Sequence, residues 1–109
     1  MLSTDFRFGE VHNLSSTITP DDEKVRFQRI FENANGGVVL LDFKAGQNLP
    51  THTAPAEVMV YVLEGNVEFT MLGVPHELKT GEFLLMGQQV QHSVVARTDT
   101  KIMLVKIKA

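Results

Sequence analysis

The chain contains no cysteine in 109 residues. That excludes disulfides, thiolate nucleophiles and cysteine-ligated zinc, and it leaves histidine and carboxylate as the strong metal ligands at hand. Long hydrophobic runs are missing as well. The longest is the six residues 58–63, far short of the roughly 20 that a membrane-spanning helix needs. Cationic excess is absent: ten Lys and Arg are scattered against thirteen Asp and Glu, for a net charge of −3. A surface that must neutralise many phosphates is not built this way, so nucleic acid is not an expected partner. The opening MLSTDFRFGEV carries Asp5 and Arg7 but no basic stretch followed by a long apolar core. It does not read as a secretory signal, and a cytoplasmic location is expected. Helical periodicity, low-complexity segments, internal linkers and short repeats are all lacking.

What remains is a chain of ordinary hydrophobicity, 43% apolar, long enough for one domain with its own core. We therefore expect a single domain over residues 1–109. Residues 66–71, Asn-Val-Glu-Phe-Thr-Met, alternate polar and apolar without error, as a strand with one wet and one buried face does. Residues 24–31, 37–44, 57–63, 82–86, 92–97 and 101–107 are further strand candidates, rich in Val, Ile, Leu and Phe. Turn chemistry falls between them at Asn33 to Gly37, Ala45 to Asn48, Gly65-Asn66, Leu72 to Pro75 and Thr80-Gly81. Such spacing predicts an all-β sandwich or barrel. A single helical turn is expected after Thr19-Pro20-Asp21-Asp22-Glu23, where proline and three acids suit a helix N-terminus. A short N-terminal strand is expected over residues 10–14.

Two segments carry a family resemblance. Gly46, then five residues to His52, then Leu63-Glu64-Gly65, resembles the first cupin motif, in which a glycine and His-x-His precede a glutamate and a later glycine. Gly81 through Met86 to His92 resembles the second motif, with its histidine eleven residues after the glycine. The resemblance covers about residues 37–107, with the N-terminal strands over 10–31 outside it. It implies the cupin double-stranded β-helix, a jelly-roll barrel of two antiparallel sheets with a pocket in its mouth, often dimeric.

Departures from the motif limit what carries over. Metal-binding cupins use two histidines and a glutamate from the first motif and one histidine from the second. Here His52 and His92 match, but the second histidine position is Ala54 and the glutamate position is Val58. Glu57 is one residue away, on the opposite face of a regular strand unless a bulge intervenes. Gly87 and Gln89 stand where the second motif has proline and glycine. Two readings of His52 and His92 stay open. In one they hold a divalent ion (Fe, Mn, Zn or Ni) weakly, with Glu57 or Gln47 as further donors. In the other they line a metal-free pocket and exchange hydrogen bonds with a ligand near neutral pH.

Other residues carry less. Tyr61 is a candidate pocket hydroxyl or simply core. Arg29 shares the parity of Val25, Phe27 and Phe31, so it either points inward to a carboxylate of the ligand or is turned outward by a bulge near Gln28. His76 is expected on the surface and His12 in the N-terminal strand. Met59, Met71, Met86 and Met103 are expected to fill core gaps. Lys106 and Lys108 are expected to solubilise the end of the last strand. Two functions follow: a small-molecule-binding cupin, favoured, or a metal-dependent cupin enzyme of oxygenase or isomerase type acting on a small polar metabolite. A homodimer is expected, because a small β domain must cover its edges.

Overall fold

The computed structural model describes residues 2–108. These form a 3-10 helix, Leu14–Thr17, and nine strands: β1 Arg26–Asn33, β2 Gly36–Phe43, β3 Asn48–His52, β4 Glu57–Glu64, β5 Asn66–Met71, β6 Val74–Lys79, β7 Phe83–Met86, β8 His92–Ala96 and β9 Thr100–Ile107. Two antiparallel sheets result, one ordered β1-β2-β9-β4-β7 and the other β3-β8-β5-β6. The chain is all-β, a jelly roll in which the inner faces of the two sheets meet. All seven expected strands are present, their ends within two residues of expectation. The single domain expected over 1–109 includes Met1 and Ala109, which lie outside the described residues.

Alternation explains the core. Val58, Val60 and Val62 of β4 point inward and are buried, as do Val67 and Phe69 of β5 and Val94 and Ala96 of β8. In β2 both faces are covered: Leu41 and Phe43 join the core, and Leu40 and Asp42 on the other face are buried too. The N-terminal segment ties itself over this outer side. Lys101 donates from its ammonium to the Ser15 carbonyl, Thr4 Oγ1 donates to the Ile30 carbonyl at 2.6 Å, and Ser3 bridges Glu32. Gly65, between β4 and β5, has φ +112°, and a Cβ there would lie 2.3 Å from Thr100 Oγ1. Only glycine fits that crossing.

Four sequence expectations are corrected. Residues 10–13 form no strand, and the helical turn lies at Leu14–Thr17 rather than after Pro20. Asn13 caps it, accepting from the Ser16 N–H at 3.3 Å, whereas Asp21 uses its carboxylate on the Glu23 N–H at 2.8 Å to close a turn. Local side-chain bonds of that kind compete with helix, and no apolar stripe follows to favour one. Strands β3 and β6 were not among the expected strands. They are sheet edges, exposed along most of their length and each carrying a proline, so neither shows the buried alternation by which strands are read. The bulge in β1 falls between Arg29 and Phe31 rather than near Gln28. Arg29 therefore keeps the parity of Phe27, and Phe31 moves to the other face.

Candidate functional site

His52 ends β3 and His92 begins β8, and the two residues are cross-strand partners. Their rings lie 4.1 Å apart between centroids, inclined at 58°. His92 is buried, 5% exposed, and lies flat against Phe69 at 5.5 Å and 8°. His52 sits beside it at the solvent side. Each ring is held from behind in the same way: Nδ1 of His52 is 2.8 Å from the Pro50 carbonyl, and Nδ1 of His92 is 2.8 Å from the Val90 carbonyl. A carbonyl only accepts, so in each ring Nδ1 carries the proton and Nε2 presents its lone pair. The loops that position the rings are bonded to one another. The Gln89 N–H donates to the Ala54 carbonyl at 2.8 Å, and Gln89 has φ +59°, so it takes up the left-handed conformation of the glycine that the second motif places there.

Both histidines line a cavity of about 520 Å³ between the sheets. Its remaining wall is mainly apolar, with Leu41, Val60, Met86 and Leu104 among the lining side chains. Ala54 and Val58, at the two departed ligand positions, line the same cavity. Lys106 does so too, which corrects its reading as a solubilising residue. The strand parity of Ile102, Leu104 and Lys106 was visible in the sequence; that their face looks onto a cavity was not.

The other candidates go elsewhere. Glu57 is exposed and lines a shallow outer groove with Met59 and Leu85, because β4 is regular up to Val62 and no bulge follows Pro55. Tyr61 shares that outward parity and does not line the cavity. Gln47 is used structurally: its Oε1 accepts from the Lys44 N–H at 2.8 Å, and its Nε2 donates to the Asp21 carbonyl at 2.7 Å. Arg29 lines a neighbouring cleft instead of the cavity, ion-paired with Asp5 at 3.4 Å and Glu32 at 3.7 Å. His76 is exposed, and so is His12, which packs edge-on against Phe6 at 5.1 Å. Among the described residues no group of three or more His, Asp or Glu is placed to hold a metal. Two imidazoles in an apolar wall fall short of the three or four protein ligands of a strong site, so the residues present do not fit a tightly held ion.

Burial pushes the His92 pKa below its ordinary value of 6.5, and neighbouring His52 adds to this, against the opposing bond to Val90. The unfolded chain then binds the proton more readily than the folded one. Stability from this group is fully present above pH 6.5 and is lost as pH falls below it toward the lowered value. Urea unfolding at pH 7.5 and 5.5 should show a loss in wild type that is smaller in His92→Asn. An equal loss in both would refute this role for His92.

Two packed antiparallel sheets with a histidine pair in the mouth between them define a jelly-roll barrel. The chain belongs to the cupin family: the family model for the Cupin domain matches residues 39–108. An RmlC-like cupin protein from Desulfovibrio desulfuricans is 32% identical, with a TM-score of 0.81 over 90% of this chain and 95% of that one. A cupin 2 conserved barrel domain protein from Leptotrichia buccalis is 26% identical, with a TM-score of 0.84 over 89% of this chain and 47% of that one. A conserved protein of unknown function from Streptococcus pyogenes shares the fold at 19% identity, with a TM-score of 0.88 over 97% and 93% of the two chains. No curated protein matches the sequence. No helix among the described residues is long and apolar enough to cross a membrane.

Proposed function

We propose that this cupin binds a small molecule in the cavity without needing a metal, and that Nε2 of His52 and His92 accept hydrogen bonds from it. The observation that carries the reading is the pair of rings 4.1 Å apart, each with Nδ1 occupied by a backbone carbonyl and Nε2 left for a ligand in a mainly apolar chamber. A few convergent polar groups in an apolar cavity of this size are what small-molecule sites provide. No nucleophile with an adjacent base lines the cavity, so a binding role is favoured over catalysis.

Metal content of freshly purified protein at neutral pH tests the metal-free part; a full equivalent of Fe, Mn, Zn or Ni would overturn it. A thermal-shift screen of alcohols, phenols and amines tests the rest. Hits should bind His92→Ala about fivefold more weakly, the equivalent of one net hydrogen bond of about 1 kcal/mol. Unchanged affinity in both His52→Ala and His92→Ala would remove the histidines from the site.

We also propose that the protein is a homodimer. On the outer face of the five-stranded sheet, Tyr61 lies opposite Phe83 and Met59 opposite Leu85. On their other side lie Met103 and Val105. Phe83, Leu85 and Ile107 are 59%, 69% and 61% exposed. A contiguous apolar stripe of this kind marks a docking surface, and a second copy supplies a matching one about a two-fold axis.

A further inference from the structure

We propose that the ligand of this cavity is an organic carboxylate, its body held between the sheets and its carboxylate bound by the ammonium of Lys106. The proposal rests on the cavity being a ligand site, as argued above. Lys106 follows Ile102 and Leu104 on one face of β9, and all three line the cavity. Its side chain therefore belongs to the wall facing the histidine pair, which stands on the opposite sheet. Lys106 is half-buried. It forms no ion pair among the described residues, whereas Lys44 and Lys79 each form one and Lys101 forms two. No Asp or Glu lines the cavity. An ammonium in such a place is costly to desolvate alone and is stabilised by an anion that reaches it.

The position of Lys106 sharpens the argument. Its cross-strand partner on β4 is Val58, the position at which the cupin metal-binding pattern has glutamate. Where that pattern supplies a negative charge to hold a cation, this chain has a neutral side chain with a positive one beside it, and both face the cavity. The electrostatic preference of the wall is thereby reversed: it repels a divalent cation and attracts an anion. A second observation agrees. The adjoining cleft shares Phe27 and Lys106 with the cavity and adds Arg29 and Lys108 against a single carboxylate, Glu32. Arg29 is already engaged by Asp5 and Glu32 and Lys108 does not line the cavity, so Lys106 is the cation placed to meet the ligand.

Isothermal titration with matched probes tests this: octanoate against octan-1-ol, and 3-phenylpropanoate against 3-phenylpropan-1-ol. Wild type should bind each carboxylate about tenfold or more tighter than its alcohol, the scale of a charge-assisted hydrogen bond. Lys106→Met should erase that preference, and Lys106→Glu should favour octylammonium instead. Equal affinity of wild type for acid and alcohol, or a preference that survives Lys106→Met, would overturn the carboxylate assignment and leave the cavity as a site for neutral ligands. Binding of neither member of either pair would overturn the ligand-site reading as well. The wild-type comparison decides the question even if the Lys106 variants do not fold.

Discussion

Replacing Ala54 by His and Val58 by Glu together should turn this chain into one that binds Mn²⁺, Fe²⁺ or Zn²⁺ about a hundredfold or more tighter than wild type. Both positions line the cavity that His52 and His92 line, so the new side chains complete a set of three imidazoles and one carboxylate. Loss of a mere orienting partner costs about 10- to 100-fold in metal affinity, and two donors on the metal itself should count for at least that. Without metal the double variant should be less stable than wild type, because Val58 is 4% exposed and a carboxylate there is taken out of water. Metal should restore it. At a free ion concentration of about 100 Kd the gain is about 2.7 kcal/mol. At about 4–8 °C per kcal/mol for a domain of this size, that is a rise in Tm of about 10 °C or more. Lys106 complicates the outcome in an informative way. As the cross-strand partner of position 58, its ammonium should pair with the new carboxylate and compete with the ion. Adding Lys106→Met to the double variant should therefore raise metal affinity further. Thermal melts with and without each ion check all three statements. A folded double variant whose Tm ignores all three ions, even with Lys106→Met added, would show that Ala54 and Val58 are not the departed ligand positions.

Leu85→Glu should convert the proposed dimer to a monomer without unfolding it. Leu85 is 69% exposed in the single chain and lies beside Met59 in the middle of the outer stripe. In the monomer the substitution touches solvent, where such changes usually stay within about 0.5 kcal/mol. In a two-fold dimer each copy contributes the same residue, so two carboxylates would be desolvated close together in an apolar interface, at a cost of several kcal/mol. Dissociation should be favoured by at least about a hundredfold. Sedimentation equilibrium should show wild type near twice the chain mass of 12.1 kDa and the variant at that mass, with matching circular dichroism. Wild type sedimenting as a monomer at high concentration would refute the dimer; a variant that stays dimeric would move the interface off this face.

The same stripe shows why some of the fold was legible and some was not. Asn66 to Met71 alternates without error, and it is the strand β5, with Val67 and Phe69 buried. Val58 to Leu63 has no alternation, because one face meets the core and the other is the apolar outer stripe. Sequence periodicity identified it as a strand yet could not say which side faced in; the spacing from His52 to Gly65 did, and it put Glu57 outside and Val58 inside, as found. Strands β3 and β6 were missed because an edge strand buries little and so places almost no demand on residue type.

The site divides along the same line. His52 and His92 were identifiable from motif spacing, and Ala54 and Val58 from the gaps in it. Arg29 and Tyr61 were misplaced as cavity candidates for different reasons. Arg29 keeps the parity of Phe27 but stands on an edge strand, where Asp5 and Glu32, contacts that only the tertiary structure brings to it, take up its guanidinium. Tyr61 is one step out of phase with the cavity face. Lys106 was misjudged because a lysine near a strand end is usually solvated, and only closure of β9 against β4 with the second sheet opposite makes its face the wall of a chamber. What the sequence determined by itself was local: which residues share a face, since side chains alternate along any strand, and which spacings match the cupin motifs. The tertiary structure alone decided that the face of Ile102, Leu104 and Lys106 looks onto a cavity, that two rings distant in the chain stand 4.1 Å apart, and that a cation lies beside the missing glutamate position. Those facts depend on which strands pair and how the sheets close, and these are set by the packing of the whole core rather than by any one segment.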